Sequence, residues 1–403
     1  MRAAFLSHTA MGGDFVVGSH HLAKAFAARG HEVLHVSAPI SPAHLLQLGD
    51  AFVRRRFARW WRGGSDLDGV RDIVPLSLLP WALARRGQSL MTMHVATLLA
   101  APASPISALR LQDADAVMVD EPRLGRLLER APKALVYRAT DLYAQMRGDP
   151  RILDLEQELC RRADVLIGTS EGVAAHLRAL SGRPVHVIGN GVDYEHFATV
   201  TARDSAPALP GERATRAVYV GAFDGRFGAD ALRAAALALP HRHFLLAGPG
   251  GERVASTLRL PNIVALGAID YRRLPSLLGA CAVGLLPFSR NSANAGRSPM
   301  KLYEYAAAGL AIAATSALRP GALSPPTLCV AASDDAFPAA VAQAFERAAD
   351  VSLVEQAREL ARSEDWSAKA GELLRLLEPA MKRGDERAAL GLAPPWAAGG
   401  TWS

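Results

Sequence analysis

Lys301 and Glu304 stand three residues apart in the stretch Arg297-Ser298-Pro299-Met300-Lys301-Leu302-Tyr303-Glu304-Tyr305-Ala306-Ala307-Ala308-Gly309-Leu310. Ser298 suits a helix N-cap, and Pro299 suits the first helical position, where a missing N–H costs nothing. Leu302, Tyr305 and Ala306 give an inward face, and Gly309 a stop. A helix start presents unpaired N–H groups and a partial positive charge, which favour phosphate; Lys301 adds a full charge there. Glu304, one turn on, is placed to accept hydrogen bonds from sugar hydroxyls. The competing reading is an ordinary surface helix with a Lys–Glu pair.

A second group of candidates is acidic. Ala116-Val117-Met118-Val119-Asp120 and Ala134-Leu135-Val136-Tyr137-Arg138 read as buried strands. Ligands of open α/β sheets bind beyond the carboxyl ends of the strands, which marks Asp120, Glu121 and Asp141. Asp141 is either a base or the cap of the helix that follows. Glu121 is a candidate for acceptor binding or a supporting role. His8, just after the first strand, reads as a structural or solvated histidine.

These residues need a scaffold, and the chain supplies two. Strand Ala3–Ser7, a turn with Gly12 and Gly13, a helix over 17–29 and strand Val33–Ser37 open a doubly wound unit. Gly12 and Gly13 let the backbone approach a ligand, or simply turn the chain. The full G-x-G-x-x-G is absent and no acid ends the second strand, which excludes an ordinary nicotinamide dehydrogenase. A Pro- and Gly-containing linker over 201–215 separates this series from a second one, starting at strand Ala217–Val220. Its first loop holds Gly221 and Arg226, a phosphate cradle or a plain turn. The predicted domains are 1–200 and 212–365, followed by a segment over 366–385, ended by Pro379, and a flexible tail over 386–403.

The 403 residues exceed one ordinary core. Half are hydrophobic and 21% charged, with a formal net charge of +6, which points to anionic partners. No basic-aromatic module points to nucleic acid. Cys160, Cys281 and Cys329 lie far apart without metal-ligand spacing. Asp66-Leu67-Asp68 and Asp113-Ala114-Asp115 read as solvated acids, and no metal site is expected. No signal peptide or spanning segment is expected either. In Phe52–Arg62, Val53, Phe57, Trp60 and Trp61 fall on one helical side, with Arg55, Arg59 and Arg62 opposite. That is the pattern of an interfacial membrane helix, or of a helix packing its aromatics inward. The apolar runs Pro75–Trp81 and Leu90–Val95 extend this region.

Pro299-Met300-Lys301-Leu302-Tyr303-Glu304-Tyr305 with Ala308-Gly309-Leu310 resembles the nucleotide-sugar segment of GT-B glycosyltransferases. Val136-Tyr137-Arg138-Ala139-Thr140-Asp141 resembles the segment holding the catalytic aspartate in the xanthan glucuronosyltransferase family. The resemblance implies a GT-B fold: α/β, with two Rossmann-like doubly wound domains facing a cleft. It implies Met300 against the base, Lys301 against the phosphates, and Asp141 as general base. The 366–385 segment would be the helix that crosses back to the first domain. Retaining enzymes of family 4 carry two glutamates eight positions apart in the donor segment. Glu304 matches the second, whereas the first position is Gly296. Where the xanthan family has an acid, this chain has Ala268, which leaves the donor sugar open.

The function expected is an inverting, metal-independent transfer of sugar from a nucleotide-diphosphate sugar, a UDP-sugar in the first instance. No cofactor is implied, the nucleotide-sugar being substrate. The acceptor implied is a polyprenyl-diphosphate-linked saccharide at the anionic inner face of the cell membrane. The donor side comprises Gly221, Arg226, Ser298, Met300, Lys301 and Glu304; the acceptor side Gly12, Gly13 and Glu121; the membrane side Arg55, Phe57, Arg59, Trp60 and Trp61. The alternatives are a retaining family 4-type transferase, a GT-B-like nucleotide-sugar epimerase, and a nonenzymatic nucleotide-sugar-binding partner.

Overall fold

The computed structural model describes residues 1–13, 16–77, 111, 114–128, 132–199, 209–294, 296–319, 321 and 324–390. The apolar run at Leu90–Val95 and most of that at Pro75–Trp81 lie outside them. The chain divides into two units, one from Met1 to Gly189 joined by the chain from Lys369, the other Asn190–Ala368.

The first unit is built on strands β1 (Arg2–Ser7), β2 (Glu32–Ser37), β3 (Ser65–Leu67), β4 (Val70–Ile73), β5 (Ala116–Val119), β6 (Ala134–Ala139), β7 (Val165–Gly168) and β8 (His186–Val187). They pair in the order β3-β4-β2-β1-β5-β6-β7-β8, parallel except for β3 with β4. Helices α1 (Gly18–Ala27), α2 (Ala51–Trp61), α3 (Tyr143–Arg147), α4 (Ile152–Arg162) and α5 (Glu171–Ser181) accompany them. The central strands read as unbroken apolar runs because both faces are covered, as a parallel sheet requires. Leu6, Val117, Leu135, Leu159, Leu166 and Val173 belong to one core, and Phe5 meets Phe26 of α1 edge-on, their ring centres 5.3 Å apart. Strand order reverses between β1 and β5, which makes their carboxyl ends the crevice of this sheet.

The second unit has α6 (Tyr194–Ala198), then β9 (Arg216–Val220), α7 (Ala229–Ala238), β10 (His243–Ala247), α8 (Gly251–Leu258), β11 (Ile263–Gly267), α9 (Leu274–Gly279) and β12 (Val283–Leu286). α10 (Lys301–Ala307), β13 (Ala311–Ala314), β14 (Leu328–Val330), α11 (Phe337–Arg347) and α12 (Val351–Ser363) complete it. The sheet order is β11-β10-β9-β12-β13-β14, all parallel, with its reversal between β9 and β12. The loops leaving those two strands, 221–228 and 287–297, therefore flank the second crevice.

The final helix, α13 (Trp366–Ala389), departs from the sequence expectation. It runs through Pro379 instead of ending there, and it stays helical past Glu386. Proline costs a helix about 3 kcal/mol. Here packing offsets that cost. Leu373, Leu377 and Ala380 are buried, and Asp385 pairs with Lys133 at 3.0 Å. Arg387 reaches Asp164 at 3.3 Å. Gly384 lies so close to Lys133 that an added Cβ would stand 2.2 Å from its carbonyl oxygen.

Candidate active site

At the second crevice, three glycines bring backbones together at the strand ends. Gly221 follows β9, Gly248 follows β10 and Gly267 ends β11, all with positive φ. A Cβ on Gly248 would stand 1.9 Å from the carbonyl oxygen of Gly221, so only glycine fits. Lys301 joins them: a Cβ on Gly221 would meet Lys301 Cε at 3.2 Å. Glycine and lysine, 80 positions apart in sequence, thus form one surface. Burial holds the Lys301 amine below its ordinary pKa, with Glu304 working in the other direction. Burial likewise raises the Glu304 carboxyl, and Lys301 offsets part of that.

The helix start differs from the expected one. α10 begins at Lys301, its N-cap is Met300 in helical geometry, and it spans seven residues. Ser298 does not cap it. Its hydroxyl accepts from the Asn190 N–H at 3.1 Å, and its carbonyl accepts from Asn190 Nδ2 at 2.8 Å. Pro299 still opens a turn, accepting from Leu302 N–H at 3.1 Å. The sequence pattern fits either start; the pairing of Ser298 with Asn190 is a tertiary contact and decides between them.

Arg226 forks onto Asp224, its Nε 3.0 Å from Oδ1 and its Nη2 2.5 Å from Oδ2. That pairing holds Asp224 below its ordinary pKa. The Arg226 carbonyl accepts from Asn294 Nδ2 at 3.0 Å, and Ser289 Oγ donates to the Gly225 carbonyl at 2.8 Å. The two crevice loops are therefore stitched together. Arg297, not singled out from the sequence, lies over the Phe288 ring, 5.4 Å from its centre, and its charge is felt by Lys301 and Asp224. Its signal was available only as a basic residue next to the donor segment.

In the first unit, Asp141 follows β6 and is partly exposed. The turn carrying it is fixed by the Thr140–Tyr143 hydroxyl pair and by Thr169 Oγ1, which donates to the Thr140 carbonyl at 3.0 Å. The two neighbouring acids are buried in ion pairs. Asp120 meets Arg138 at 3.0 Å, and Glu121 meets Arg123 at 2.6 Å. Glu121 is fully buried, so the structure gives it a pairing role instead of an exposed acceptor contact. His8 lies at the end of β1, and burial, with Arg147 and Arg123 nearby, lowers its pKa to about 4, leaving the ring neutral near pH 7. Among the described residues, no group of three or more His, Cys, Asp or Glu side chains converges as a metal site does.

The turn after β1 rests on α2. Gly12 has φ +64°, and a Cβ there would meet Leu67 and Arg59; one on Gly13 would meet Phe52 at 3.3 Å. Arg59 donates to the Met11 carbonyl and to Asp72 Oδ2, while Asp72 Oδ1 lies 2.6 Å from His35 Nδ1. This corrects the expected layout of α2. Arg59 turns inward, Arg56 donates to the Ala38 carbonyl, and Phe57 and Trp60 pack on Ala10, Ile40 and Val74. The cause is the buried Asp72, which needs a countercharge. Of the five residues expected at a membrane, Arg55 and Trp61 remain exposed. Replacing Arg59 by Ala removes the guanidinium bonded to Asp72 Oδ2 and should cost about 3 kcal/mol. Urea unfolding checks this, and Arg59→Lys should recover part of the loss.

The comparisons with known proteins come to the same architecture. The model of Glycosyltransferase Family 4 matches residues 16–196. "Putative teichuronic acid biosynthesis glycosyltransferase TuaH" of Bacillus subtilis (strain 168) is 25% identical over 253 residues, 58% of this chain. That match spans 64% of the relative, less than two thirds of its length. Sucrose-phosphate synthase from Thermosynechococcus elongatus superposes with a TM-score of 0.70 at 19% identity, over 94% of this chain and 99% of its own. Anabaena HepE, solved in complex with UDP and glucose, gives 0.60 at 15% identity, over 94% and 100%. The fold is GT-B, and the sequence resemblance to family 4 transferases is met by the match over the first unit.

Proposed function

We propose that the protein is a GT-B glycosyltransferase that moves a sugar, with inversion, from a UDP-sugar to a lipid-linked saccharide in polysaccharide biosynthesis. The observation that carries this is the assembly of Lys301 on the Gly221–Gly248 backbone at the second crevice. A cation over glycine backbone at a strand-order reversal suits a diphosphate. The UDP found in HepE and the teichuronic acid assignment of TuaH support the donor and the pathway class.

In this reading Asp141 takes the proton from an acceptor hydroxyl. That oxygen attacks the anomeric carbon from the face opposite the diphosphate, the carbon–oxygen bond to phosphate breaks, and UDP leaves. Lys301, Arg226 and Arg297 stabilise the charge gathering on the leaving diphosphate. Met300 lies against the base, and Glu304 accepts from sugar hydroxyls. The Gly12–Gly13 turn faces the acceptor. This chemistry draws its charge stabilisation from side chains and requires no cofactor.

The membrane side of the proposal moves from the apolar face of α2 to its edge. Leu45, Leu46 and Leu48 are 52%, 92% and 41% exposed, and Trp61 is 62% exposed. Arg54, Arg55 and Arg62 are exposed in the same stretch. Apolar tips among arginines suit an anionic lipid surface, at about 1 kcal/mol per arginine. Among the described residues no helix is long and apolar enough to cross a membrane. Flotation with phosphatidylglycerol vesicles should carry the protein upward, and Leu46→Asp combined with Trp61→Ala should abolish this.

One observation favours a second reading. The family 4 match over 16–196 suits a retaining transferase, whereas Gly296 occupies the place of that family's first glutamate. The test is release of UDP or GDP from a panel of sugar donors in the presence of bacterial membrane lipid, with the anomeric configuration of the product read by NMR. A β-linked product from an α-linked donor supports inversion; an α-linked product overturns it. Turnover of donor to a free epimer, with no acceptor, would replace transfer altogether.

A further inference from the structure

Beside Asp141 the first unit has a groove of about 450 Å³, inside the roughly 300–1,000 Å³ range of small-molecule sites. Leu142, Ala144, Pro150 and Leu153 line it, with Gln145 and His176 as the polar side chains. Its walls come from α3, α4 and α5. Leu142 is the residue after Asp141, so the groove is continuous with the turn that presents this acid.

The polar wall is built in an uncommon way. His176 Nε2 lies 2.9 Å from Glu156 Oε2, and the Tyr137 hydroxyl donates to Glu156 Oε1 at 2.6 Å. Glu156 is fully buried, whereas the His176 side chain is 24% exposed. Burying a carboxylate costs several kcal/mol, and an apolar residue there would serve packing as well. What Glu156 accomplishes is to fix the His176 ring, claim its Nε2 proton and favour the imidazolium, raising its pKa. That leaves Nδ1 as the nitrogen for a ligand. A saccharide needs many hydrogen-bonding partners or an aromatic platform, and this lining offers neither. An apolar chain ending in an anionic group matches both the lining and the histidine.

We propose that this groove seats the first isoprene units of a prenyl-diphosphate acceptor, with His176 contacting the diphosphate. The proposal rests on the lipid-linked acceptor of the reaction above and adds to it the residues that hold the lipid.

Calorimetric titration of the full chain with farnesyl diphosphate, farnesol and inorganic pyrophosphate tests it. Farnesyl diphosphate should bind at least about tenfold more tightly than either fragment, because it alone meets both walls. Ala144→Trp, which fills the groove, should weaken it about tenfold or more. His176→Gln, which keeps the bond to Glu156 but loses the cation, should weaken farnesyl diphosphate and leave farnesol unchanged. His176→Arg should restore the loss. Thermal melts establish that each variant is folded. Equal affinity for pyrophosphate, or indifference to both Ala144→Trp and His176→Gln, overturns the assignment.

Transfer assays separate this failure from failure of the proposed function. With a lipid-linked saccharide, Ala144→Trp should raise KM and leave kcat in place. Lipid-linked transfer with an unmoved KM removes the groove and leaves the function. Transfer only to water-soluble saccharides removes the lipid-linked acceptor and the groove with it.

Discussion

Asp141→Asn should lower sugar transfer by about 10²- to 10⁴-fold, the usual loss when a general base is removed. The substitution keeps shape and removes the ability to take a proton. The surrounding turn depends on Thr140, Tyr143 and Thr169, none of which is altered. Donor binding, assigned in the proposal to residues of the second unit, should stay within about twofold, since the loss is confined to the reacting step. Single-turnover kinetics with saturating donor and acceptor, beside a donor-binding titration, would read the two effects separately. Turnover within a few-fold of the parent protein would exclude Asp141 as base and direct attention to the retaining reading.

Lys301→Ala should reduce kcat/KM by about 10²- to 10³-fold, comparable with losing one preorganised group that stabilises transition-state charge. Two effects contribute. The cation held over Gly221, which the proposal sets against the leaving diphosphate, is lost. Glu304, buried beside it, loses the charge that opposes its rise in pKa. Lys301→Arg separates these, because it restores charge without restoring the compact amine. The lysine also predicts a pH dependence. Its pKa is lowered by burial, so raising the pH removes its proton earlier than for an ordinary lysine. Donor affinity should therefore fall on the alkaline side, and Lys301→Arg should hold affinity over the same range. A UDP titration across pH 7 to about 10 would check this, with the upper limit set by the ordinary lysine value. A flat profile for both proteins would mean that the amine lies outside the donor site.

Much of the scaffold was legible because parallel strands buried on both faces leave a simple trace. Ala3–Ser7, Ala116–Val119, Ala134–Arg138 and Val283–Leu286 are short, mostly apolar runs, the second closed by Asp120 and the fourth by Pro287, and each is a strand or nearly so. The repetition of that trace after a Pro/Gly-containing stretch marked two doubly wound series. Asp141 and the Gly221 loop were legible as positions, since the carboxyl end of a strand can be found by reading to where the apolar run stops. Where the long α13 ends was not, because Pro379 is a stop by local preference and its tolerance depends on Lys133 and Asp164, distant in sequence.

By itself the sequence determined the α/β class, the two sheets and the strand ends that carry candidate chemistry, because apolar runs and turn residues are local properties. The tertiary structure alone decided which charges are available. Glu121 and Asp120 stand at a strand end in the sequence, and the fold buries them in ion pairs with Arg123 and Arg138. Arg59 looks like a surface cation until the buried Asp72 draws it inward. Lys301 acquires its place from glycines 53 and 80 positions earlier, Gly248 and Gly221, one of which has its backbone against the other. A charge acts through its surroundings, and those surroundings are assembled from residues far apart in the chain.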